Sequence, residues 1–545
     1  MGSIFSWSAS MIKSSPEMGD FGLVNSLSFF HFISLAMLLG SFLLALRGQN
    51  KKIYFVIILT LIIFLTLTPP IIEETPRFRY AYKSYGFADY IIRNDHIDPK
   101  VVWYHNWPGA FFSMSMLSKI INPENDLLFL MYFSFIIQII YFFPVYTFLQ
   151  LLFQDDDKKI WIGIWIFYIL NFINQDYMSP QAFAYLYFLI ILSVTVKLAK
   201  IGKNYDGMLN NISYKFVGVI LISGIAITHM MTSTLVLSII FFSALFSSSS
   251  SSKKILYKFT FLFIIIITAW VIYGAYVYLN WHLVDFIEKA YNLDSMFSQN
   301  LQRVSGSPSH LIISKLMIFT TFISIIFAAL GITFSYFRKD KITSINTRIL
   351  VMAGAILAIA PQSPYGGEMM MRIFLFMLPL LSFFIAQIFI NSNLKIILIL
   401  FLIIMSPLNV ITHYGNEEYD YVSKAELKSY DFFYEKAANR NITGGYPIAD
   451  YKFVEKFEFV DLKDLKWDGN EYTTKTGSKN NIMISRGDIE KFKIFANNEI
   501  YIEYIKNSFT NNKNYILVYS NGDAALYENA ANIISKTSDQ GNQFV

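Results

Sequence analysis

Apolar runs close to the length of a membrane crossing dominate this chain from Gly22 to Thr412. A helix needs about 20 apolar residues to span a bilayer. Inside lipid its backbone groups must bond within the segment, so such runs fold as helices. The runs are Leu23–Leu46, Ile53–Ile72, Leu127–Phe153, Ile160–Asn174, Pro180–Leu198, Phe216–His229, Thr232–Phe246, Ile255–Leu279, Leu311–Phe337, Ile349–Pro361, Met371–Ile390 and Leu394–Thr412, about twelve in all. Gly109–Ile121 is apolar but short and reads as an interfacial or re-entrant helix.

The expected architecture has three parts. Residues 1–22 form an N-terminal segment, 23–412 an all-α polytopic membrane domain, and 413–545 a small soluble domain of mixed α/β character. In the last part, Lys424–Asn439 has helical periodicity. Tyr515–Tyr519 and Ala524–Tyr527 read as strands around the turn Ser520-Asn521-Gly522. Residues 1–20 hold Lys13, Glu17 and Asp20 and no cleavage pattern, so the first apolar run is expected to act as an uncleaved anchor.

Composition narrows the function classes. Only 15% of residues are charged and mean hydropathy is +0.43, against about 25% charged in a soluble domain. A net charge of +5 is too small to point to nucleic acid. With no cysteine, disulfides, thiolate metal sites and cysteine nucleophiles are excluded. No Walker loop argues against an ATPase, and no HExxH against a zincin.

Basic residues cluster on alternate loops: Arg47/Lys51/Lys52, Lys158/Lys159, Lys197/Lys200/Lys203/Lys215, Lys253/Lys254/Lys258 and Arg338/Lys339/Lys341/Arg348. By the positive-inside rule that side is cytoplasmic, which predicts a multi-pass protein of the plasma membrane. The external side then receives the loop Glu73–Pro108, the turn Gln175–Ser179, the loop Asn280–His310, the turn Gln362–Glu368 and the C-terminal domain with its sequon Asn441-Ile442-Thr443. A second sequon, Asn211-Ile212-Ser213, falls on the cytoplasmic side.

The candidate site residues lie on that external side. The loop Glu73–Pro108 mixes acids, the bases Arg77, Arg79 and Lys83, His105 and many aromatic residues. Aromatic faces beside charged hydrogen-bonding groups suit a sugar and a phosphate, although Trp and Tyr also gather at any membrane surface. Asp89 reads as lying near the start of an amphipathic helix, where a carboxylate serves either as a general base or as a cap. Asp176 and Gln181 flank a very short turn, lining a site or shaping the turn. His229 joins two half-length spans. Glu368 and Arg372, spaced i, i+4, pair with each other or leave Arg372 to bind a lipid phosphate.

Three segments carry a family resemblance: Tyr104-His105-Asn106-Trp107-Pro108-Gly109, Gln175-Asp176-Tyr177 with Ser179-Pro180-Gln181-Ala182, and Tyr365-Gly366-Gly367-Glu368 with Arg372. With the many spans and the charged first external loop, they resemble the GT-C membrane glycosyltransferases, and within them a little-characterised prokaryotic group. The resemblance implies a polyprenyl-phosphate-linked sugar donor in the bilayer and a glycan, lipid or protein acceptor. It implies Asp89 as general base and phosphate contacts from Arg77, Arg79, Lys83 or Arg372. It fixes no cofactor. A divalent metal, Mg or Mn, is implied for some members, with Asp89 and Asp176 as its candidate ligands. The chain departs from the family's pattern here, since no adjacent Asp-Asp or Asp-Glu pair follows the membrane exit and Glu73-Glu74 is the nearest. The alternative reading is a transporter or an assembly subunit for surface polysaccharide or glycolipid, for which Gln138, Asn171 and Gln387 would line a path.

Overall fold

A computed structural model describes residues 1–13, 18–100, 103–121, 126–154, 156–200, 212–247, 249–280, 306–337, 342–358, 368–390, 394–436, 442–443, 466–467, 472–473, 481–496 and 513–530. Most of loop 280–310, the turn before Glu368 with Tyr365-Gly366-Gly367, and the asparagines of both sequons lie outside these residues.

The described part is mostly helical with a small sheet. Among the described residues, six stretches are long and apolar enough to cross a membrane: Leu127–Phe153, Pro180–Leu198, Ser250–Gly274, Pro308–Phe337, Met369–Phe389 and Lys395–Phe433. In the last of these the apolar helix is Lys395–Tyr414. Five shorter apolar helices join them, among them Gly109–Ile121 and the pair Phe216–Thr228 and Met230–Leu245 that meets at His229.

Burial sorts these helices into centre and rim. Met369–Phe389 has 83% of its apolar stretch inside the protein, and Ser250–Gly274 only 17%. Every residue from Ile160 to Leu170 is buried, so the helix Asp157–Leu170 is enclosed on all sides. Rim helices turn large side chains outward, Phe261, Phe319 and Phe322 among them. An apolar surface of that extent is stable against lipid and unstable against water.

Two central helices run side by side in the same direction. Lys51–Thr66 and Asp157–Leu170 begin together at the ion pair Lys51–Asp157, 2.9 Å. Asn50 caps the first, accepting from the Lys52 N–H, and Asp156 the second, accepting from the Lys159 N–H. Tyr54 packs on Trp161 with ring centroids 5.6 Å apart. Their far ends deliver the chain to the candidate site, through the short helix Thr68–Glu73 on one side and residues 171–179 on the other.

The charged loop after Glu73 is itself largely helical, as Arg79–Asn94. Asp89 therefore stands well inside a helix, not near its start. Gln175–Ser179 forms the expected connection, and the next helix opens with Pro180 behind Ser179, whose hydroxyl accepts from the Ala182 N–H at 3.2 Å.

The C-terminal part contains the helix Lys424–Lys436 and a four-stranded sheet in the order Ile442–Thr443, Asn481–Ser485, Ala524–Asn529, Tyr515–Ser520. The first pair is parallel and the others antiparallel, with a bulge between Leu517 and Tyr519. The hairpin expected around Asn521-Gly522 is thus present, each strand slightly longer than expected. This part shares a core with the helix Arg79–Asn94, because Tyr82 is buried in one apolar cluster with Val422, Tyr430, Phe433, Met483 and Leu526.

Candidate functional site

The link between Glu73 and Arg79 is short and strongly bent. Glu74 is left-handed at φ 56°, and Phe78 has φ 76° and ψ 103°, a conformation that costs a side chain with a Cβ. The bends bury Arg77 and Arg79 on either side of Phe78, at 7% and 1% exposure.

Arg77 is the hub of a buried network. Its guanidinium donates to Glu417 at 2.7 Å, to Asn174 at 2.9 Å and to His413 Nε2 at 3.1 Å, and lies 3.8 Å from Asp176. The opposite ring nitrogen of His413 then donates to the Asn171 carbonyl, 3.1 Å. Asp176 Oδ2 accepts from Ser134 at 2.6 Å and Gln138 at 3.2 Å. Burial alone would raise the Asp176 carboxyl. The His413 ring, the Arg77 guanidinium and those two hydrogen bonds outweigh it and hold the group below its usual value.

Glu73 stands beside this network without sharing its hydrogen bonds. It is 2% exposed, and neither carboxyl oxygen has a hydrogen-bond partner among the described residues. Burial pushes its carboxyl well above the usual range. Glu417 adds to the rise and Arg77 opposes it.

Arg79 points into the C-terminal part. It donates to Glu426 at 3.4 Å, and its guanidinium lies 5.5 Å from the Tyr419 ring centroid. Gly487 makes room for it, since a Cβ there would overlap the guanidinium. Thr75 donates to the Val422 carbonyl at 2.6 Å, and Arg486 to the carbonyls of Glu418 at 2.9 Å and Tyr421 at 2.5 Å.

A second, more open group lies alongside. Arg372 donates to Glu368 at 2.7 Å on its own helix and to Gln181 at 2.7 Å across the bundle. Gln181 in turn reaches Thr232 at 3.5 Å. The Glu368 side chain is 31% exposed. The Tyr177 hydroxyl is raised well above its usual value, first by burial and then by Glu368. Arg372, Tyr104 and Tyr80 are the other groups whose fields reach it. Lys83 Nζ lies 5.7 Å from the Tyr104 ring and 5.6 Å from that of Phe87.

The remaining candidates stand elsewhere. Asp89 pairs with Arg93 at 2.9 Å on the solvent-facing side of its helix, about 240° round from Lys83 at 100° per residue. His105 is fully buried and uses both ring nitrogens. It accepts from the Asp98 N–H at 3.2 Å and meets the Phe87 carbonyl at 3.0 Å, and burial lowers its pKa. His229 caps the helix Met230–Leu245 by accepting from the Thr232 N–H at 3.3 Å.

The structure therefore gathers Arg77 with Asp176, and Arg372 with Gln181 and Glu368. It adds His413 and Glu417, which sequence reasoning did not single out, and Glu73 and Tyr177, which it named without giving them a role in the site. The only sequence signal for Glu417 is the acidic run Glu417-Glu418 with Asp420 directly after an apolar helix. As for a metal, no group of three or more His, Asp or Glu among the described residues could hold one. Arg77 already supplies positive charge beside Asp176, so these residues do not fit a bound cation, and no step below runs through one.

No family model matches the sequence, and no curated protein matches it. Three solved structures of the Archaeoglobus fulgidus oligosaccharyltransferase do resemble the chain. The form tethered by a disulfide to an acceptor peptide containing the NVT sequon shares 11% identity at a TM-score of 0.50, covering 88% of this chain and 74% of that one. The apo form shares 11% at 0.50, covering 75% and 64%. The complex with zinc and sulfate shares 13% at 0.47, covering 78% and 59%. In those last two, this chain spans under two thirds of the length of the protein it resembles. At such identities the likeness is one of fold alone, the fold of the Archaeoglobus fulgidus oligosaccharyltransferase.

Proposed function

We propose that the protein is a membrane glycosyltransferase that moves a sugar from a polyprenyl-phosphate-linked donor to a glycan, lipid or protein acceptor at the external ends of its helices. The observation that carries this reading is the meeting of Arg372, Glu368 and Tyr177 beside the buried Arg77–Asp176–Glu417 network, on a GT-C fold.

The acceptor's nucleophilic atom attacks the anomeric carbon with inversion, the bond from that carbon to the phosphate oxygen breaks, and the lipid phosphate leaves with the bonding pair. We assign the acceptor proton to Asp89, which stands apart from Arg372 and Glu368, paired with Arg93 on the outer face of its helix, so that the acceptor enters from that face. Arg372 and Lys83 receive the phosphate, since fixed positive charge at the leaving group is often the largest catalytic term. Arg77 and Arg79 are occupied by Glu417 and Glu426, and they hold the site's frame.

The transporter or assembly-subunit reading rests on polar groups within the spans. Gln138 is engaged by Asp176 and Gln387 by Asn346, at 3.2 and 3.0 Å, which favours packing over a path.

Purified protein supplied with labelled polyprenyl-phosphate sugars and a panel of acceptors should transfer label. Asp89→Asn should lower turnover by roughly 100-fold or more with donor binding kept. Full turnover in Asp89→Asn would remove Asp89 from this role, and no transfer with any donor would remove the enzyme reading.

A further inference from the structure

Phe78 is a residue under backbone strain with no glycine to relieve it. Its φ of 76° is imposed from both sides, because the buried neighbours Arg77 and Arg79 are each fixed to the C-terminal segment through Glu417 and Glu426. Strain of this kind persists where the surroundings over-determine it, and it gathers at ligand sites. Its effect here is to aim the Phe78 ring at Tyr177. The two stack with centroids 4.5 Å apart and an angle of 17°, and both side chains are only half-buried. Tyr80 flanks Phe78 at 6.4 Å. The groups acting on Tyr177 are Glu368, Arg372, Tyr104 and Tyr80, an anion and a cation among phenols.

We infer that the Phe78–Tyr177 stack is a platform for a pyranose ring, whose C–H face lies on the aromatic surface while its hydroxyls meet Glu368 and Arg372. This rests on the glycosyltransferase reading and sharpens it, because it names the part of the substrate that the chain recognises. Aromatic rings offer a flat apolar face with a polar rim, and the adjoining acid and guanidinium supply an acceptor and a donor for ring hydroxyls.

The platform is tested by binding to purified protein in detergent. The probes are polyprenyl phosphate, the same lipid carrying different hexoses, and free methyl glycosides. Wild type should prefer the sugar-bearing lipid to the bare one. Phe78→Gly should cut that preference about tenfold, leave bare-lipid binding unchanged and melt no lower than wild type, because glycine accepts positive φ. Tyr177→Phe should keep the preference and Tyr177→Leu lose it. A preference seen with free methyl glycosides and equally lost in the variants assigns the ring to the acceptor rather than the donor. Equal binding of bare and sugar-bearing lipid by wild type, with no affinity for the glycosides, overturns the platform, as does an unchanged preference in both Phe78→Gly and Tyr177→Leu. The two readings fail separately. Transfer with wild-type KM in the variants sinks the platform alone, and a lost preference in a protein that transfers nothing sinks the transferase alone.

Discussion

The two ends of the parallel helices Lys51–Thr66 and Asp157–Leu170 carry the same chemical pairing, a cation against a carboxylate, in opposite surroundings. At the starting end Lys51 meets Asp157 at 2.9 Å with side chains 58% and 31% exposed. At the far end Arg77 meets Glu417 at 2.7 Å with side chains 7% and 0% exposed, with Asp176 and Glu73 close by. Water screens the first pair, so it contributes little. The second is cut off from water and cannot lose a partner without stranding a charge. The difference teaches where the chain concentrates its constraint. One end of the bundle is an ordinary polar margin, and the other is a fixed charge arrangement that ties residues some 340 positions apart.

The comparison predicts a large asymmetry between two similar substitutions. Arg77→Met should destabilise by roughly 3–5 kcal/mol, because it leaves Glu417 and Asp176 buried without their cation, whereas Lys51→Met should cost under about 1 kcal/mol. Thermal unfolding in detergent measures both. Adding Glu417→Leu to Arg77→Met should recover part of the loss, and equal effects of the two single substitutions would break the comparison.

A smaller effect sharpens it through pH. Glu73 ordinarily titrates near 4.5, and burial raises it well above that in the folded protein. Between those two values the unfolded chain releases a proton that the folded chain keeps, so Glu73 makes stability fall as pH rises through the window. Glu73→Gln removes this slope, which is about 1.4 kcal/mol per pH unit at most. The variant should therefore match wild type near pH 4 and exceed it increasingly toward neutral pH. Parallel stability–pH curves would show that Glu73 is not held protonated.

Legibility in the sequence follows the range of the interactions. The apolar helices, the break at His229 and the C-terminal hairpin rest on local patterns of hydropathy and turn residues, and they were legible. The i, i+4 pairing of Glu368 with Arg372 was legible for the same reason. Arg77 and Arg79 read locally as free cations in an external loop, and nothing nearby marks Glu417 or Glu426 as their partners. An amphipathic helix was legible around Phe87–Ile92, but neither its start at Arg79 nor the burial of Tyr82 in the core of the C-terminal part. The positive φ of Phe78 has no sequence signature either, since it follows from the two anchors and not from the residue. Local chemistry thus pointed to this region of the chain, while the division of its charged groups between framework and open site required the fold.

The central claim is that the open site and the C-terminal part face away from the lysine-rich margin, across the membrane. The chain has no cysteine, so single cysteines can be introduced without background. Lys424 and Lys51 are 63% and 58% exposed and mark the two margins. In intact cells a membrane-impermeant maleimide should label Lys424→Cys at once and Lys51→Cys only after permeabilisation. Labelling of both from the same side, or of Lys51→Cys alone in intact cells, would contradict the account.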